Sequence, residues 1–394
     1  MTDAPPSELP VLRLLRDLVA IDSTTGSPGE AAVLRRVAAE FDDLPEARVV
    51  FAPAADGEPP ALMVVPTGVG ADTPLLVFAS HADVVPVTDA SAWSHDPFGA
   101  EVVAGRMVGR GSSDMKSGLA ASVVAVRELL AEGRAVALAV STGEEVGCLG
   151  APAVADLLTG RRVGAVVIPE STDGQVVLGH RGALWLTVTT SGVAAHGSTP
   201  HRGHNAVLDM VAVLGRLAEL PLGDHADLGP ETVNVGVVSG GSVPNIVPDV
   251  CRARVDLRVV GEVDALVAWW RAQPEVTDVR VDLDLAAVWT PRDHPWLAGL
   301  ADPVSATPAT YFTDASVLVR SLDEGVPVVV WGPGDPTVVH AVDESVPVDS
   351  VVRAVESFRA AGRDWGGRDG GGAHADGAGA GTGTTWAPGT GAAP

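Results

Sequence analysis

The feature that most limits how this chain can fold is a series of short, unbroken apolar runs. Segments 75–80, 135–140 and 163–168 (LLVFAS, AVALAV and VGAVVI) are too short for core helices and lack the polar alternation of a half-solvated strand. They read as strands buried on both faces. Between them, 116–131 and 150–158 carry helical patterns. Strands alternating with helices imply an α/β fold with a mainly parallel sheet and helices on both faces. Ligands of such sheets bind beyond the carboxyl ends of the strands, so the residues just after each run are where chemistry is expected.

A different pattern starts near Gly182. Leu184, Leu186 and Val188 alternate with other residues, followed by a helix over 204–219, strands near 232–239 and 251–260, a helix at 262–273 and a strand at 277–286. That β-α-β-β-α-β order is the ferredoxin-like α+β plan. After Pro291 the α/β character returns, with a strand at 326–331 and a helix over 348–361. The expected organisation is therefore a catalytic domain in two parts, 1–180 and 289–365, with an inserted lid or dimerisation domain at 181–288. The Gly/Ala-rich segment 366–394 cannot bury enough apolar surface to offset its ordering entropy and is expected to be a disordered tail.

Charge and motif content narrow the function. The 394 residues carry 26 Lys+Arg against 50 Asp+Glu, net −24. Such a field repels polyphosphate and anionic lipid, which argues against nucleic-acid and membrane partners. Lys116 is the only lysine and does not sit in a phosphate-loop pattern; Gly-x-Ser-x-Gly and His-Glu-x-x-His are also absent. Only Cys148 and Cys251 occur, too few for a disulfide framework. The opening MTDAPPSELP has no basic leader, 11–20 reads as an amphipathic helix, and no apolar run approaches 18 residues, so a cytoplasmic protein is expected.

Metal-capable side chains follow the strand runs. His81 and Asp83 (HADVVP) come directly after 75–80, Glu144 and Glu145 (STGEEVG) after 135–140, and Glu170 (PES) after 163–168. His340 (VVHAVDE) follows 326–331, and Asp114 (GRGSSDMKSG) lies on a glycine-flanked turn before a helix. Each has a plain alternative: a lone histidine is commonly a hydrogen-bonded structural residue, Asp114 could cap its helix, and the glutamates could lie in a solvated loop. Together they describe a shared metal site. Histidine and carboxylate donors without thiolate suit zinc, with cobalt or manganese as substitutes. Two divalent ions are balanced by Asp114, Glu145, Glu170 and one hydroxide, which leaves Glu144 free to move a proton.

In order and over roughly residues 5–362, these motifs resemble the di-zinc deacylase and exopeptidase family of acetylornithine deacetylase, succinyl-diaminopimelate desuccinylase, aminoacylase and glutamate carboxypeptidase. The resemblance implies two Zn2+ ions, with His81 and Glu170 on one, Glu145 and His340 on the other, and Asp114 between them. It implies that Asp83 orients His81, that Glu144 is the general base, and that the Asp114–Met115 peptide is cis. From SGVAAHGSTPHRGHNAV it implies that His196 reaches an active site, often the partner subunit's, and stabilises an oxyanion, whereas His201 and His204 face solvent. Asn245 and Arg258 become candidates for holding a substrate carboxylate, although Arg258 could equally be a strand-surface ion pair. Thr313 and Gly334 fall in stretches similar to substrate loops. PES departs from the usual Glu-Pro order, and DMKSG favours amide hydrolysis over carbamoyl removal. Cys148 reads as a buried packing residue. The expected activity is hydrolysis of a small N-acyl amino acid; a dipeptidase or carboxypeptidase, or a non-catalytic binding protein on the same scaffold, are the alternatives. A homodimer through the inserted domain is consistent with this resemblance.

Overall fold

The computed structural model describes residues 9–54 and 57–366. Its main sheet has six strands in the order Ala47–Phe51, Ala61–Pro66, Val136–Ser141, Leu75–His81, Val163–Ile168, Val328–Val330. The last four run parallel, and the first two form an antiparallel hairpin along the edge. Leu76 and Phe78 face the helices Pro10–Val19, Ser117–Ala131 and Val348–Asp364, while Leu75, Val77 and Ala79 face Ala151–Leu158 and Ala315–Leu318. Successive side chains of a strand point to opposite faces, so a continuous apolar run serves two helix layers at once. Phe358 anchors the first layer, with ring centroids 5.1 Å from both Phe78 and Trp331.

No sequence pattern marks the edge hairpin. Ala47–Phe51 is half exposed, and its pairing with Ala61–Pro66 depends on a partner rather than on its own pattern. Three expected elements are shorter than the sequence implied, among them the helix of 262–273, which spans Asp264–Arg271. The helix of 204–219 starts only at Ala206, where Asn205 caps it by accepting from the N–H groups of Val207 and Leu208, and ends at Leu214 before Gly215, with a separate tight turn at Leu217–Glu219. The strand of 326–331 starts only after Pro327, which cannot donate to a ladder.

Residues 182–285 build a separate antiparallel sheet ordered Thr232–Gly240, Val250–Val259, Gly182–Ser191, Val276–Leu285. Ala206–Leu214 and Asp264–Arg271 cover one face and bury Met210 and Trp270 against Leu186, Val188, Val255 and Leu257. This is the β-α-β-β-α-β plan. Where the chain leaves and rejoins the larger unit, Gly179–His180 pairs antiparallel with Val288–Trp289, forming a two-stranded neck. A third sheet joins Ser345–Pro347 to Arg106–Val108 and Glu101–Val103, which ties the late segment carrying His340 to the turn carrying Asp114. The expected tail, beyond Gly366, lies outside the described residues. Among those residues, no helix is long and apolar enough to cross a membrane.

Candidate metal centre

At the carboxyl edge of the parallel strands, two imidazoles share one carboxylate. His81 Nε2 lies 3.2 Å from Asp114 Oδ1 and 3.0 Å from Glu170 Oε1; His340 Nε2 lies 3.1 Å from Asp114 Oδ2 and 3.0 Å from Glu145 Oε2. Each Asp114 oxygen therefore serves a different histidine. Such separations are those of donors around a small cation, since two bonds of about 2.0–2.1 Å at a tetrahedral angle place donor atoms roughly 3.3 Å apart. The tautomer of His81 agrees: Nδ1 is 3.1 Å from the Asp83 carbonyl, which can only accept, so Nδ1 carries the proton and the Nε2 lone pair faces the carboxylates. Two donor triads meeting at Asp114 fit a pair of divalent cations.

The charges point the same way. Burial alone would lower the pKa of His81, but bonds to Asp114, Asp83 and Glu170 carry it well above the usual imidazole range. The carboxylates beside His340 hold it up at about 10. Burial, reinforced by the charge of Asp114, pushes Glu170 to about 7 and raises Glu145, whereas the two histidines hold Asp114 below the ordinary range despite its burial. Four carboxyl groups crowded into low dielectric draw positive charge from any available source.

Other side chains hold the turns in place. The Asp83 carboxylate accepts from the backbone N–H of Glu144 at 3.0 Å and of Glu145 at 3.2 Å, and from Thr25 Oγ1 at 2.8 Å. It thus organises the Glu144–Glu145 turn, while its carbonyl takes the closer bond to His81. Glu30 accepts from Gly143 N in the same turn. Glu344, fully buried, accepts from Ser113 N at 2.8 Å and Asp114 N at 3.0 Å through one oxygen and from Arg110 Nη1 at 2.6 Å through the other. Asp114 is on the irregular turn Ser112–Lys116, and the Asp114–Met115 peptide is cis.

The model for peptidase family M20/M25/M40 matches residues 77–363 of this sequence. The chain belongs to that family. It is 31% identical over 308 residues to a protein of Ruegeria pomeroyi named succinyl-diaminopimelate desuccinylase, with 70% of this chain and 79% of the relative covered. Its fold is similar to aminopeptidase PepT of Bacillus cereus, with a TM-score of 0.71 at 21% identity over 90% of this chain and 98% of the other. It is also similar to a dinuclear metal-binding M20 peptidase of Bacillus subtilis, with a TM-score of 0.65 at 12% identity over 89% and 96%. As an M20 member this chain is a metal-dependent hydrolase of amide bonds.

Other candidate residues of this M20 chain stand apart from the cluster. His196 is exposed and its side chain bonds within its own loop, to Ser198, while its backbone pairs with Ile246 next to Asn245. Arg258 pairs with Asp256 and lies over the Phe312 ring, 5.7 Å from its centroid. Thr313 is fully buried with Oγ1 3.0 Å from His180 Nε2, which commits its hydroxyl to the scaffold. Gly334 is also buried: an added Cβ would meet Ser171 Oγ at 2.2 Å and Ser113 O at 2.6 Å, so glycine lets this turn pack on the backbones flanking Glu170 and Asp114. Exposed His204, just before the helix Ala206–Leu214, bonds Asp209 on it. Sequence reasoning missed Arg110 and Glu344, although both lie inside the quoted motifs.

Proposed function

We propose that this protein removes the acyl group from a small N-acyl amino acid, with N-succinyl substrates preferred, and that Glu144 is its general base. The observation that carries the reading is the pair of imidazoles sharing Asp114, with buried Glu144 adjacent in sequence to Glu145. His81, Asp114 and Glu170 would hold one cation and His340, Asp114 and Glu145 the other, zinc in both. When bound, such cations polarise the scissile carbonyl and lower the pKa of water. Glu144 accepts a proton from the attacking water and delivers it to the departing amine. Burial raises its pKa well above the carboxylate range, which strengthens its hold on a proton once taken. A 290 Å³ cavity lined by Val85, Pro86, Trp93, Arg110, His340 and Val342 opens beside His340 and can receive part of the substrate.

The named desuccinylase relative supports the succinyl preference. Arg258 is placed in this reading on the substrate carboxylate, and Thr313 and Gly334 shape the loops behind it. His196 acts in the cleft of a second copy, brought there by dimerisation through the inserted unit, where Val193, Val243 and Ile246 are exposed around the same loop. Two free, buried cysteines suit a cytoplasmic setting. Amine release from N-succinyl, N-acetyl and dipeptide substrates with added zinc tests the assignment. N-succinyl amino acids should turn over fastest, and Glu144→Gln should lower kcat by roughly 10²–10⁴-fold with two metal equivalents retained. Faster hydrolysis of dipeptides would replace the deacylase reading with a dipeptidase, and full activity in Glu144→Gln would remove the base.

A further inference from the structure

Glu144 also belongs to a second group of donors. A carboxylate oxygen of Glu144, the sulfur of Cys148 and a carboxylate oxygen of Asp314 lie within 4.8 Å of one another, and all three residues are buried. Cys148 Sγ is 3.9 Å from Glu144 Oε1. Asp314, 5% exposed, takes the Ser141 hydroxyl on Oδ2 and has the Cys148 thiol against its carboxylate, while its Oδ1 is buried without a hydrogen-bond partner among the described residues. No arginine or lysine among the described residues pairs with any of the three side chains. Two acids and a thiol, the sulfur packed against Leu285 and Ala183, with one carboxylate oxygen unanswered, form a site to which no cationic side chain is bonded, His81 acting on it only through its charge.

We propose that Glu144, Cys148 and Asp314 form a third cation site, distinct from the His81–His340 cluster, which takes a thiophilic divalent ion in excess and thereby withdraws Glu144 from catalysis. Bonds of about 2.3 Å to sulfur and 2.0–2.1 Å to oxygen place tetrahedral donors roughly 3.5 Å apart, so the observed spacing closes with small side-chain rotations. Binding breaks the Cys148 S–H bond, releases that proton and any proton held by Glu144 to solvent, and forms metal–thiolate and metal–carboxylate bonds. No oxidant or reductant is involved. Sulfur selects zinc, cobalt or cadmium over magnesium and calcium, which prefer all-oxygen shells. The inhibitory consequence rests on the reading of Glu144 as the base; the site itself does not.

Cobalt(II) titration of the metal-stripped full-length protein separates the two. The His81–His340 cluster offers no sulfur, so the first two equivalents should bring visible bands alone, and further cobalt a near-ultraviolet sulfur-to-cobalt band. That band should vanish in Cys148→Ser, persist in Cys251→Ser and need several-fold more cobalt in Asp314→Asn. In parallel, raising zinc well beyond two equivalents should cut activity about tenfold at nine-tenths occupancy, and less than about twofold in Cys148→Ser relative to its own activity at two equivalents. A sulfur band that never develops, or one that survives in Cys148→Ser, overturns the third site. A sulfur band without zinc inhibition upholds the site and instead overturns the role given to Glu144.

Discussion

His81 and His340 stand on opposite sides of Asp114 and are held by opposite means. His81 ends a fully buried parallel strand, its side chain is 2% exposed, and Asp83 fixes its Nδ1. His340 is on a loop in the left-handed backbone region, φ 62°, with its side chain 48% exposed and its ring paired with Asp114 and Glu145. One half of the centre is therefore preorganised by the core and the other by two surface-reaching turns. Because a preformed donor set spends less on ordering its ligands, the His81 half should bind its cation more tightly and release it more slowly.

The largest effects separate the halves directly. His81→Ala leaves Glu170 and Asp83 buried without their partner, and loss of one member of such a buried set costs about 3–5 kcal/mol. His340→Ala exposes its carboxylates to water and should cost under about 1 kcal/mol. Metal analysis should find one equivalent retained in His340→Ala and neither held stably in His81→Ala. Equal losses of metal and of melting temperature in the two variants would break the comparison.

His180 tests whether burial or partnership sets the behaviour of His81. It is equally buried, in the neck between the two units, donating from Nδ1 to the Arg181 carbonyl and accepting on Nε2 from Thr313. With no carboxylate beside it, burial takes its pKa down to about 4. The unfolded chain therefore takes up this proton first as pH falls. The contribution of neutral His180 is complete above about pH 6.5 and is lost toward pH 4, amounting to about 3 kcal/mol. Denaturant midpoints of the wild type and His180→Gln measured between pH 7 and 4.5 should converge as the pH drops. A gap that stays constant would show that protonation of His180 is not coupled to unfolding.

Glu344 probes the link between the halves. It holds the backbone N–H of Asp114, and its partner Arg110 reaches the His340 carbonyl at 3.4 Å. Glu344→Gln keeps one acceptor but loses the ion pair, and loss of such an outer partner weakens metal sites roughly 10–100-fold. Competition with a chelator should find the weakening concentrated on the more labile equivalent.

The contrast also separates what was legible in the sequence from what was not. His81, Glu144, Glu145, Glu170 and His340 could be read because strand runs end immediately or shortly before them, and the topology of a parallel sheet sends those ends to one edge. Asp114 was legible through its motif and sits on the irregular turn Ser112–Lys116 rather than at a strand end. The Glu344 bonds to Ser113 and Asp114 span 231 and 230 residues, and nothing local marks a glutamate four places after a histidine as their acceptor. Asp314 is similar: its approach to Glu144 and Cys148 is created by the Ala315–Leu318 helix packing against Ala151–Leu158, a contact without a sequence signature. Thr313 and Gly334 lie in stretches similar to substrate loops, but only packing reveals that one hydroxyl is bound to His180 and that the other position has no room for a side chain.

Arg106 marks the outer limit of the support around His340. Its Nη2 reaches Asp335 Oδ2 at 3.1 Å and the Ser345 carbonyl at 2.9 Å, and its Nε reaches Ser345 Oγ at 2.9 Å, so it straps the turn before His340 to the strand after it. The guanidinium is about one-third exposed, which screens the pair and keeps its worth below about 1 kcal/mol. Arg106→Ala should leave the melting temperature nearly unchanged while speeding release of the labile cation a few-fold, with the slow phase untouched. If the slow phase accelerates as well, the two halves are coupled through Asp114 more tightly than their separate anchoring implies, and the asymmetry lies in solvent access instead of in preorganisation.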